Sequence, residues 1–178
     1  MSKKVITGVS RLSYANLWEP KASVEGATPK YSVSVIIPKS DKKTVADIRK
    51  AIEEALQEGI GKFGGRKPAV YKNPLRDGDV ERPDDPAYKD SYFVNANSIT
   101  QPKIVDRNVL PILEHSEIYS GVYARVSLSF YAFNRNGNKG VACGLGNVQK
   151  IRDGEPLGGG SRAEDDFQPY EGGDDLLF

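Results

Sequence analysis

Between Gly121 and Phe133 the chain alternates residue by residue, with Val122, Ala124, Val126, Leu128, Phe130 and Ala132 against Tyr123, Arg125, Ser127, Ser129, Tyr131 and Phe133. In an extended strand this period sends one set toward a core and leaves rings beside a guanidinium on the wet face. That mixture suits a single-stranded nucleic acid, because every base offers a π-face and every nucleotide a phosphate. Stacking is worth roughly 1–3 kcal/mol per base, so a set of rings outweighs any one hydrogen bond. Tyr123, Tyr131 and Phe133 are therefore candidate base-stacking residues and Arg125 a candidate phosphate contact. The same rings could instead pack under a neighbouring loop or helix, and alternation does not choose between the two. Trp18, with Tyr14 and Lys21, forms a second aromatic and basic cluster, although a lone tryptophan also serves as a core anchor. A third runs through Lys62, Arg66, Lys67, Lys72 and Arg76, interleaved with Phe63 and Tyr71, and Lys103 and Arg107 bracket a further turn. From these, Lys72, Arg76, Lys103 and Arg107 are expected to neutralise phosphates.

Other chemistries find little support. The single cysteine, Cys143, and the single histidine, His115, cannot form a disulfide or a Cys/His zinc cluster. Gly61 to Lys67 lacks the Gly-Lys-Ser/Thr ending of a phosphate-binding loop, and Gly144 and Gly146 lack the third glycine of a dinucleotide fingerprint. Asp77, Asp79, Glu81, Asp84 and Asp85 could in principle gather a divalent ion for a nuclease, but their spacing matches no ligand pattern. No catalytic residue, metal or cofactor is expected.

The elements that must position these residues are mainly strands. Val5 to Leu17 reads as a first strand, bending at Gly8 and ended by Glu19 and Pro20. In Tyr31 to Ile37, the residues Tyr31, Val33, Val35 and Ile37 share one face, and Pro38 stops the pairing. The period then changes to about 3.6, with Val45, Ile48, Ile52 and Leu56 predicting one helix from Asp41 to about Gly59, capped by Ser40 or Asp41. Residues 61–90, rich in Gly, Pro and charge, read as an extended loop excursion. Strands resume at Tyr92 to Ile99 and Lys103 to Asp106. They end in a hairpin of Gly121 to Phe133 and Gly140 to Ile151, whose turn contains Asn136 and Gly137.

A length of 178 residues suits one domain, expected over 1–157, followed by a flexible linker and tail over 158–178. The charge is divided unevenly. The chain carries 25 Lys and Arg against 24 Asp and Glu, and Glu164, Asp165, Asp166, Glu171, Asp174 and Asp175 supply six of the acids. Without them the balance is 25 against 18, so residues 1–162 are +7 although the whole is +1. Like charges on a stretch poor in apolar residues predict a solvated, disordered acidic arm on a basic body. Such an arm can compete for the basic surface or offer a hydrophobic hook, here Leu176, Leu177 and Phe178 behind Asp174 and Asp175. With no signal-peptide-like or membrane-length apolar run, the chain is expected to stay inside the cell.

Four segments carry a resemblance: SYANLWEPKA at 13–22, YFVNANS at 92–98, PKIVDRN at 102–108, and the long block from Tyr119 to Gly159, followed by AEDDF at 163–167. Taken in order they resemble a bacteriophage single-stranded DNA-binding protein family. The resemblance implies an OB-like β-barrel with its helix between early and late strands, and sequence-tolerant binding of single strands. It also implies a role in replication, recombination and repair of phage DNA in the cytoplasm of the infected bacterial host. The ending is similar in kind to the acidic tails of bacterial single-stranded DNA-binding proteins, which recruit replication proteins. Here Leu176 and Leu177 stand between Asp175 and Phe178, where those tails place a proline before the final Phe. The competing expectations are a metal-dependent nuclease of phage DNA metabolism and an adaptor that touches only replication proteins; a homodimer paired through a strand edge is possible in any of them.

Overall fold

The structure is a computed structural model that describes residues 3–157 and 168–170. In chain order the elements are β1 (Lys3–Ile6), β2 (Ser10–Lys21), β3 (Lys30–Pro38), α1 (Lys42–Glu58), β4 (Arg76–Asp77), α2 (Gly78–Glu81), β5 (Ser91–Ser98), β6 (Ile104–Val105), β7 (Tyr123–Arg135) and β8 (Asn138–Arg152). Five strands close a ring: β2 pairs antiparallel with β3, β3 with β5, β8 with β7, and β7 with β2, while β5 and β8 meet in parallel through Asn97 and Gly144. This is the mainly β architecture with one principal helix that the sequence predicts.

Inside the ring, alternation does what the pleat requires. Leu12, Val33, Val35, Val94, Val126, Leu128 and Phe130 are fully or almost fully buried, and α1 adds Val45, Ile48, Ile52 and Leu56 to the same core. Asp41 starts α1 by accepting from the Thr44 amide at 3.2 Å, and Gly59 ends it. Cys143 lies in this core, where burial pushes its thiol pKa up and leaves it an inert packing group.

Three boundaries differ from the sequence reading. The first strand divides at Gly8, where the Gly8 amide donates to Thr44 Oγ1 and a side chain would collide with the Asp41 carboxylate. Both halves still run along β7, β1 from Lys3 opposite Phe130 to Ile6 opposite Ser127, and β2 from Ser10 opposite Ala124. Second, β2 does not stop at Glu19 but continues through Pro20 to Lys21. The β2–β3 register is irregular between Asn16 and Lys21, so proline's missing N–H falls where the ladder is already interrupted. Third, the hairpin strands extend inward to a two-residue turn, Asn136 and Gly137 at φ 52° and 86°, the pair of positive angles that matches strand twist.

The excursion is also more ordered than a loop. After a 3-10 turn at Ile60–Phe63, residues 72–88 fold back on the outside of the ring through β4, α2 and a second 3-10 turn at Pro86–Tyr88. Tyr88, Phe93 and Ile36 form a small core of their own there; Tyr88 meets Phe93 edge to face at 5.0 Å and donates its hydroxyl to Ser34 Oγ at 2.9 Å. The excursion thus covers one half of the outer face of β3 and β5 and leaves the half at Ser32, Asn95 and Asn97 open.

Candidate nucleic-acid interface

The open half is the floor of a groove. Register places Ser32 beside Asn97, Asn97 beside Gly144, and Gly144 beside Ser129, so β3, β5, β8 and β7 present small and polar side chains side by side. The bare backbone at Gly144 makes room for Tyr131, whose ring edge stands 3.6 Å from where a Gly144 Cβ would project. Tyr131 is 41% exposed, enough for a planar ligand to reach it. Phe133 stands two residues along the same face, and Arg135 follows it at the hairpin tip.

Cations rim this floor from separate parts of the chain. Lys72, Arg76 and Arg135 line one stretch with Tyr131, Phe133, Asn95 and Asn97, while Lys21, Lys30 and Arg135 line the next with Asn16, Ser32 and the 22–28 loop. Lys30, Asn97 and Arg135 belong to both, which makes the two stretches one continuous groove between the β2–β3 loop and the β7–β8 tip. Lys72 is fixed at the tip by two backbone bonds, its amide to the Lys139 carbonyl at 2.9 Å and its carbonyl from the Val141 amide at 3.0 Å. Gly140 permits that approach, since a Cβ there would come within 2.7 Å of Lys72. Arg76 is oriented by Glu81, accepting at 2.7 Å from Nε. An outer sheet face between these two loops is where OB-type rings hold oligonucleotides.

Of the residues singled out in the sequence, the groove unites Lys21, Lys72, Arg76, Tyr131 and Phe133. The others lie elsewhere. Trp18 stacks on the His115 ring at 4.4 Å and donates Nε1–H to the His115 carbonyl at 2.9 Å, so it pins the segment before β7 rather than lining the groove. Tyr123 packs with two guanidinium groups, Arg152 at 4.3 Å and Arg11 at 5.5 Å from its ring centre. Arg125 turns toward β1 and donates Nε–H to the Thr7 carbonyl at 3.0 Å. Lys103 and Arg107 flank β6, next to β8. In the basic stretch of the excursion, Phe63 is buried in the main core and Lys67 pairs with Glu53 at 2.9 Å, so neither is a groove residue. Asp174, Asp175, Leu176, Leu177 and Phe178 lie outside the described residues.

A family model described as the Enterobacter phage Enc34 single-stranded DNA-binding protein matches residues 3–177. The chain belongs to this family. Within phages it is 34% identical over 161 residues to putative protein p50 of Acyrthosiphon pisum secondary endosymbiont phage 1, covering 86% of this chain and 85% of that one. The Enc34 family protein itself, solved in complex with single-stranded DNA, superposes with a TM-score of 0.78 at 26% identity over 87% of this chain and 89% of its own. The fold extends further, to the gp2.5 single-stranded DNA-binding protein of bacteriophage T7, with a TM-score of 0.65 over 97% of this chain and 98% of that one at 17% identity. Both solved relatives are named as single-stranded DNA-binding proteins.

Within the family fold, four of the five acidic residues weighed for a nuclease have structural duties. Lys39 bridges Asp77 at 2.9 Å and Asp79 at 2.8 Å, Glu81 holds Arg76, and Asp85 caps the turn at Pro86–Tyr88 by accepting from the Ala87 amide. Hydrogen bonding to Asp79 and Asp77 raises the Lys39 pKa, and the Lys39 ammonium lowers both carboxyl pKa values in return. Among the described residues no group of three or more His, Cys, Asp or Glu gathers as a metal site. The groove residues that sequence reasoning missed are Lys30, Asn95, Asn97 and Arg135. The alternation of Asn95 and Asn97 with Val94 and Ala96 held a signal of a polar strand face, but the face they share with Tyr131 exists only once β5 and β8 pair.

Proposed function

We propose that the groove holds single-stranded DNA without reading its sequence. The observation that carries the reading is the meeting of Tyr131 and Phe133 with Lys30, Lys72, Arg76 and Arg135 on one outer face of the ring. Membership of the Enc34 family supports it, as does the relative solved with single-stranded DNA. Bases stack on the two rings, phosphates meet the rim cations, and the amides and hydroxyl of Asn95, Asn97 and Ser32 take whichever polar edge lies near. None of these contacts selects a base, which suits coating of any strand exposed during phage replication, recombination and repair in the cytoplasm of the bacterial host. Residues 1–157 act as the binding domain. Residues 158–178 act as a linker and acidic arm, in which Asp174, Asp175, Leu176, Leu177 and Phe178 recruit replication proteins and compete with DNA for the groove.

The test is an anisotropy titration of a labelled oligothymidine of about 30 nucleotides, long enough to exceed the usual 4–16 nucleotides per OB-type site. Replacing Tyr131 and Phe133 together by Ala should weaken binding by about 2–4 kcal/mol, on the order of 30- to 1,000-fold. A folded double variant with wild-type affinity would remove this groove from the binding path.

A further inference from the structure

We propose a second contact site for the same strand, at the far end of the β7–β8 hairpin, built by Tyr123, Arg152 and Arg11 and continued along β8 by Arg107. It rests on the groove reading and extends it. Tyr123 and Tyr131 lie on the same outward face of β7, eight residues apart, which at about 3.3 Å per residue is roughly 26 Å. Arg152 stands opposite Tyr123 across the hairpin and stacks on its ring at 4.3 Å; among the described residues that ring is the only partner found for its guanidinium. Arg11 approaches the same ring at 5.5 Å, its own position set by hydrogen bonds to the Gly121 and Glu155 carbonyls. Arg107 lies further along β8, where its carbonyl accepts at 3.3 Å from Nε2 of Gln149, three residues before Arg152, and its side chain is exposed.

Most of the acidic neighbours of this patch already have partners of their own. Asp153 and Glu117 both bind Lys150, at 2.7 and 2.6 Å, and Asp106 accepts from the Asn108 and Leu110 amides of its own turn. Glu114, which lines a pocket with Arg107, and Glu155, whose carbonyl binds Arg11, are the acidic residues that remain. Between the two sites the outward face of β7 carries Arg125, whose Nε–H is turned aside to the Thr7 carbonyl, and then Ser127 and Ser129. Ser129 and Ser127 on β7 face Gly144 and Gly146 on β8, and Gly146 is held bare because a Cβ would strike Ser127 Oγ. A ring already met by two guanidinium groups suits a nucleotide whose phosphate bridges the arginines.

Anisotropy titrations with oligothymidines of about 6 and about 16 nucleotides, the two ends of the usual range, separate the sites. For the full chain carrying Arg107→Ala and Arg152→Ala, affinity for the short oligomer should stay within about twofold of wild type. Affinity for the long one should fall roughly tenfold, and the slope of log affinity against log salt should shrink by about 1.4, the value for two lost single-strand phosphate contacts. Tyr131→Ala should instead weaken both lengths. Unchanged affinity and salt slope on the long oligomer in the double arginine variant would overturn the second site and leave the groove standing. Failure of wild-type protein to bind either length would overturn the groove reading, and this one with it.

Discussion

Tyr131 and Trp18 show how differently two exposed-face aromatics can be employed. Both sit on strands, with a cation three or four residues further along, and the residue pattern offers both for base stacking without excluding a packing role. Tyr131 keeps its ring free because Ala142 opposite it and Gly144 diagonal to it have almost no side chain to cover it. Trp18 is already occupied by the His115 ring and carbonyl. The two predict opposite phenotypes. Trp18→Phe retains a stacking ring but loses the indole hydrogen bond, so it should lower stability by about 1 kcal/mol and leave oligothymidine affinity within about twofold. Tyr131→Ala should do the reverse, with melting by circular dichroism and anisotropy titration read on the same samples. A Trp18→Phe protein that melts as wild type but binds tenfold more weakly would return Trp18 to the DNA path. The distinction was not legible in sequence, because His115 is 97 residues from Trp18 and nothing local announces their meeting.

Elements with a local code were read well, and those fixed by tertiary contact were not. The helix from Lys42 to Glu58 follows from its apolar period and its Asp41 cap, and the hairpin from Asn136 and Gly137. The excursion had no such period, since Tyr88 and Phe93 acquire their meaning only by covering Ile36 on the outside of the ring. Each kind of element can be tested. Gly137→Ala places a Cβ at φ 86° and should cost about 1–2 kcal/mol of stability, seen as a lower Tm; it should also weaken DNA binding, because the turn aims Arg135 and the neighbouring Lys72 at the groove. The excursion instead depends on Lys39 bridging Asp77 and Asp79. Both carboxyl pKa values are lowered in the folded protein, so their contribution is present above the unfolded carboxylate value near 4 and is lost as pH falls through the lower folded values. Lys39→Gln should therefore flatten the acid limb of Tm against pH below about 4, where the wild-type curve falls. Parallel acid limbs for the two proteins would show that the bridge adds nothing to stability.

At the scale of the molecule, the sequence exposed charge asymmetry clearly and the groove only in part. Lys21 and Lys30, Lys72 and Arg76, Asn95 and Asn97, and Tyr131 to Arg135 lie in four separate stretches, and ring closure rather than proximity in sequence brings them to one face. Charge, in contrast, is a sum over residues and needs no fold. A chain ending at Arg162 loses six acidic side chains and no basic one, moving from +1 to +7. If the arm competes with DNA for the rim cations, this shorter chain should bind oligothymidine more tightly than the full one, and the advantage should be largest at low salt. With a Debye length of about 30 Å at 0.01 M and about 8 Å at 0.15 M, simple long-range repulsion between arm and DNA should nearly vanish at the higher salt. Direct occupation of the groove should survive there, because contacts at hydrogen-bond distance are screened much less than charges a Debye length apart. Titrations of both chains across that range therefore separate the mechanisms. A tighter-binding short chain at every salt concentration places the arm in the groove, an advantage confined to low salt makes it a remote charge, and equal affinities throughout leave it recruitment alone.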